Sequence, residues 1–242
     1  MAGHSKWAQI KRKKAANDKE RGKTISKHIR AIQSAVREGG GGDPGNNLPL
    51  KNALAAAKSD NVNAETVERA IERALGASEG NAFETVFYEG YGPSSVAVLV
   101  EALTDNRNRS AAELRHIFGK HGGNMSGSTA WQFHSKGVII LAQHDEALQE
   151  LAIELGAEDL ETDAEGLTVY TDPAQLYRVT EGLQAQGYEP QVSQLSRVAQ
   201  TETPLEPDEA AAVARFLDAL EDLDDVQNVY TTADLSALAV VG

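Results

Sequence analysis

The chain has 242 residues, 41% of them apolar, a formal charge of −13 and no cysteine. That length supports two or three compact units with sizeable cores. The missing cysteine excludes disulfides, thiolate metal sites and a Cys nucleophile, in keeping with a reducing compartment.

The charge is unevenly divided along the chain. Up to Arg37 it carries eleven basic residues, Lys6, Lys11, Arg12, Lys13, Lys14, Lys19, Arg21, Lys23, Lys27, Arg30 and Arg37, against Asp18 and Glu20, a net of +9 that leaves −22 for the remainder. Such a basic segment on an acidic body seeks a polyanion with one end only. Residues 1–24 show little periodicity and read as an arm that takes shape on a partner. The segment is lysine-rich and has no apolar stretch like that of a secretory signal, so a cytoplasmic location is expected rather than export or organelle targeting.

A helix begins at Thr24, where Ile25, Ile29, Ile32 and Val36 recur as one apolar stripe. Lys23, Lys27 and Arg30 fall off the stripe, so the helix is expected to present them outward beside the arm. The run from Gly39 to Gly45 ends it with a flexible loop. Leu50, Leu54 and Ala57 mark a second helix, and Asn63 caps a third with Val67, Ala70, Ile71 and Ala74 inward.

After Gly76 the period changes. Phe83–Tyr91 and Val96–Leu103 read as strands around Gly90-Tyr91-Gly92-Pro93. Ala111–Lys120 reads as a helix with Leu114, Ile117 and Phe118 inward, and Ala130–Phe133 as a short strand. Gly137–Ala142, Glu146–Leu155, Asp159–Asp163, Leu167–Thr171, Ala174–Gln186 and Glu189–Leu195 follow as β-α-β-β-α-β, the ferredoxin-like order. A last helix with Val213, Phe216, Leu217 and Leu220 on one face and a strand at Val226–Tyr230 supply what the earlier unit lacks. The expected fold is α+β: a basic arm and helical bundle over 1–77, a discontinuous domain over 78–133 and 200–242, and a ferredoxin-like domain over 134–199 inserted in it.

The arm carries the strongest chemical signal. Lysines and arginines displace condensed counterions from phosphate, and the indole of Trp7 offers a face to an unpaired base. Lys6, Trp7, Lys11, Arg12, Lys13, Lys14, Lys19, Arg21, Lys23, Lys27 and Arg30 are the candidate nucleic-acid contacts. A second concentration, Arg107, Arg109 and Arg115, reads either as a further phosphate contact or as a polar turn capping a helix. Catalytic signals are weak: Arg21-Gly22-Lys23-Thr24 ends like a phosphate-binding loop, but Asn17 stands where that motif needs glycine. Glu221-Asp222-Leu223-Asp224-Asp225 reads as a solvated acidic turn rather than a Mg²⁺ site. No catalytic residue, metal, cofactor, membrane contact or small-molecule substrate is expected.

Several stretches resemble the YebC/PmpR family over the full length: Met1–Trp7 with the Lys-rich run to Lys14, Tyr88–Pro93, Glu101–Arg109, Lys120–Asn124 and Asp218–Tyr230. The resemblance implies a helical bundle followed by two α+β domains. For function it implies a DNA-binding transcriptional regulator or, from relatives linked to translation and the ribosome, a factor that binds RNA through the arm and assists elongation through proline-rich stretches. The family usually has glycines where this chain has Ser94-Ser95, a change expected to stiffen that corner.

Overall fold

In the computed structural model, the described residues are 21–76, 83–163 and 166–240, with side chains from Thr24 to Leu238. Three helices come first: α1 (Arg21–Glu38), α2 (Leu48–Ser59) and α3 (Ala64–Gly76). The apolar stripe of α1 does bury itself: Ile32, Val36, Leu50, Ala57, Ala70 and Ala74 form the bundle core, with Ile29, Val67 and Ile71 packed against it. Asn47 decides how the helices meet. Its amide donates to the Ala35 and Gly41 carbonyls, both at 2.8 Å, while its side-chain oxygen caps α2 at the Leu50 N–H. The glycine-rich connection is therefore tied down by a buried side chain rather than left loose.

Two antiparallel sheets follow. The first has the order β1-β2-β7, from Glu84–Tyr91, Ala97–Thr104 and Val226–Thr231; the second is β4-β5-β3-β6, from Asp159–Asp163, Gly166–Thr171, Phe133–Leu141 and Val192–Ala199. The first sheet thus takes strands from both sides of the second along the chain. One of its faces is covered by α4 (Arg107–Lys120) and α7 (Pro207–Glu221). Val98, Val100, Leu114, Phe118, Phe216 and Leu217 are buried there, with Phe118 and Phe216 edge to face at 5.0 Å. The turn between β1 and β2 needs its glycines, because a Cβ at Gly90 would lie 2.5 Å from the Asn124 carbonyl and one at Gly92 2.6 Å from the Phe216 ring. Ser94 and Ser95 both sit in the left-handed region at φ 54° and 58°, a conformation costing a non-glycine residue about 1 kcal/mol.

The second sheet pairs in the ferredoxin-like order, backed by α5 (Glu146–Leu155) and α6 (Leu176–Ala185) over Ile139, Leu141, Leu148, Leu167, Val169 and Val179. One expectation fails. Ala130–Gln132 is a 3-10 turn and Phe133 opens β3 of the second sheet, so the short strand expected at Ala130–Phe133 is absent from the first. The Thr129 and Ala130 N–H groups that a strand would give to a ladder instead donate to the Glu89 carboxylate. No described helix is long and apolar enough to cross a membrane.

Candidate nucleic-acid interface

Lys27 and Arg30 lie three residues apart on α1 and so share one face of the helix. That face meets the turn between α7 and β7. Lys27 Nζ donates to the Glu221 carbonyl at 2.5 Å, and Arg30 Nη1 to the Asp224 carbonyl at 2.5 Å and to Asp225 Oδ1 at 3.0 Å. The Glu221 carbonyl ends α7 and carries the negative end of its dipole, which suits the Lys27 cation. The outward, solvent-facing placement expected for Lys27 and Arg30 is corrected accordingly: both are engaged by the chain's own acidic turn.

Asp225 is the centre of this joint. It is only 4% exposed, and its second oxygen accepts from Thr104 Oγ1 (3.0 Å), Ser110 Oγ (2.7 Å) and Arg109 Nη2 (2.7 Å). Burial pushes this carboxyl up, but the hydrogen bonds from Arg109, Ser110 and Thr104 outweigh it and hold the group below the ordinary carboxylate range. Arg109 also reaches Asp105 Oδ1 at 2.9 Å, and the two carboxylates, Asp225 first, raise its own pKa. Arg30, Phe83, Arg109, Glu113 and Asp224 help line a cleft of about 530 Å³ beside this node. The acidic run is therefore not simply a solvated turn. Among the described residues no group of three or more His, Cys, Asp or Glu side chains could hold a metal ion.

The remaining candidates are dispersed. Arg107 makes a two-pronged pair with Glu84 at an exposed position, the kind of surface pair that contributes little to stability. Asn106 caps α4 by accepting from the Arg109 N–H at 3.1 Å, so Arg107 and Arg109 occupy the first helical turn. Arg115 is exposed on α4 and has no ion pair among the described residues. At the end of the same helix, His121 lies 5.7 Å from the Phe216 ring; burial first, then Lys120 and Arg215, lower its pKa. Lys6, Trp7, Lys11, Arg12, Lys13, Lys14 and Lys19 lie outside the described residues, and for Arg21 and Lys23 only the backbone is described.

Asp225 and the Glu221 and Asp224 carbonyls were not legible as partners of α1, because the local signal of an acidic run says nothing of a helix some 195 positions away. Trp131 and Phe87 were missed as well, and both are exposed. An aromatic residue within an apolar run reads as core, and only the folded surface separates it from one.

The likeness to known proteins covers nearly the whole chain. Residues 5–77 match the family model described as the TACO1/YebC protein N-terminal domain, and residues 83–233 match the TACO1/YebC second and third domain. A relative from Thermus thermophilus, named a probable transcriptional regulatory protein, is 54% identical over 99% of both chains. One of the same name from Deinococcus radiodurans is 55% identical over 97% of this chain and 98% of its own. The crystal structure of a conserved hypothetical protein from Aquifex aeolicus superposes with a TM-score of 0.84 at 44% identity, covering 95% of this chain and 97% of that one. With this α+β fold, both family models and relatives of this identity in agreement, the chain belongs to the TACO1/YebC family.

Proposed function

We propose that this protein is a nucleic-acid-binding regulator of gene expression, a DNA-binding transcriptional regulator in keeping with the names of its relatives, which acts by binding rather than catalysis. The observation that carries the reading is the division of charge. Residues 1–23 hold eight Lys or Arg against two acids, in a chain whose net charge is −13. Lys27, Arg30 and Arg109 are committed to the Asp225 joint. Phosphate contact therefore falls to Lys6, Lys11, Arg12, Lys13, Lys14, Lys19, Arg21 and Lys23, with Trp7 beside them and Arg115 as a contact from the body. Cations of this kind fix register and affinity without naming a sequence.

A second reading is favoured by one feature of α1. Its Lys27 and Arg30 turn toward the acidic turn instead of lining up for a groove, whereas duplex readers place a helix in the major groove. A lysine-rich arm with a tryptophan also suits irregular RNA, as a ribosome-associated translation factor would require. Crosslinking in cells, followed by sequencing of both the DNA and the RNA attached, separates the two. Enrichment of promoter DNA is the result expected for a transcriptional regulator, and ribosomal RNA the result for a translation factor. Recovery of neither would overturn both.

A further inference from the structure

Phe87 and Glu89 alternate to the same face of β1, the face opposite α4 and α7. On that face Phe87 stays 42% exposed, with the Arg197 guanidinium from β6 stacked 5.5 Å from its ring centre. Glu89 is spent on a neighbouring segment: Ser128 Oγ donates to it at 2.9 Å, the Ala130 N–H at 2.7 Å, and the Thr129 N–H donates as well. The residue that follows, Trp131, is 67% exposed. It is nonetheless held on both sides, since its Nε1 donates to the Ser128 carbonyl at 3.0 Å and its carbonyl accepts from Gln200 Nε2. An indole left so open forgoes most of the burial that a large apolar side chain gains in a core. The hydrogen bonds around Trp131 hold it there.

We propose that Trp131 and the Phe87–Arg197 stack form a platform for unpaired bases of a single-stranded nucleic acid. The Phe87 ring and the Trp131 indole are exposed, the half-buried Arg197 guanidinium lies against the first, and Glu89, two residues from Phe87 on the same face, holds the segment that carries the second. Bases stack on such groups whatever their sequence, and the guanidinium adds a positive charge. The hydrogen bonding of Trp131 disfavours a proline-rich peptide. Aromatic grooves for such peptides use the indole N–H to hold a peptide carbonyl, and here that N–H is already donated to Ser128. What remains open is the ring face, and the Arg197 charge over Phe87 favours an anionic ligand that stacks on it. The proposal rests on the nucleic-acid reading given above and adds to it a second contact, distant in sequence from the arm.

The chain has two tryptophans, so in a Trp7→Phe background Trp131 is the sole source of indole emission. Binding of a fluorescein-labelled single-stranded 12-mer of uridine, and of a 12-base-pair duplex, is followed by anisotropy and by tryptophan quenching. The single strand should quench Trp131, and Trp131→Ala should weaken its binding by roughly tenfold while duplex affinity stays unchanged. Trp131→Phe should restore part of the loss. Binding of the 12-mer with unaltered Trp131 emission and unaltered affinity in Trp131→Ala would overturn the platform and leave the arm reading standing. Quenching by a proline-rich peptide but not by the 12-mer would also overturn it. Binding of neither oligonucleotide would sink the platform together with the reading on which it rests.

Discussion

In the second sheet Ile139, Leu141, Leu167 and Val169 meet α5 and α6 through an apolar core, whereas the first sheet keeps a buried carboxylate, Asp225, just ahead of β7. The second unit is built from one continuous stretch of chain, and its helix-facing core is satisfied by volume alone. The first is assembled from segments more than a hundred residues apart, and Asp225 is where they meet: Thr104 and Ser110 from one segment, the turn after α7 from the other, and Arg30 from the bundle. The difference teaches that the bundle joins the body through charge. Apolar packing fixes each unit internally, while Lys27, Arg30 and Arg109 converge on one acidic turn at the joint.

The sharpest way to break the comparison is to remove the carboxylate. Asp225→Ala takes the acceptor from the buried Thr104 hydroxyl, removes one of the acceptors of Ser110 and takes the shared partner from two arginines. It should cost about 3 kcal/mol in denaturant unfolding. A loss below about 1 kcal/mol would make Asp225 an ordinary surface acid.

A smaller effect comes from acid. Three carboxyls of the first unit lie below their ordinary range: Asp225, where the donated bonds overcome burial, Glu89, lowered chiefly by the Ala130 N–H, and the exposed Glu84, lowered chiefly by Arg107. For a depressed carboxyl the unfolded chain takes up its proton first, so the stability it contributes is complete above the unfolded pKa of about 4 and drains away as pH falls through the folded value. Hydrogen exchange across this range should show β2, α4 and β7 losing protection before β3 and β5. Loss in the opposite order would place the acid-sensitive joint elsewhere.

Much of this arrangement was legible in the residues themselves. The stripe of Ile25, Ile29, Ile32 and Val36, the inward Leu114 and Phe118, and the face of Val213, Phe216, Leu217 and Leu220 all follow from helical spacing, and the structure buries most of them. What periodicity could not carry was set by contacts distant in sequence. Ala130–Phe133 looks like a strand until the Glu89 carboxylate, some 40 positions earlier, takes the N–H groups of Thr129 and Ala130. Lys27 and Arg30 look like an outward basic face until α7 ends beside them. In each case a polar group from another segment overrode a local preference, and no local window contains both partners.

The central claim is that the basic segment, and not the body, anchors the protein on phosphate. It is tested most directly by measuring affinity for a fixed nucleic acid against salt, for the natural chain and for a variant with Lys11, Arg12, Lys13 and Lys14 changed to Ala. With roughly six phosphate contacts the natural chain should give a log–log slope of about −4 to −5. The variant should bind more weakly on every sequence, with a slope flatter by about 3. An unchanged slope and an unchanged affinity would contradict the account and move the anchor to the body.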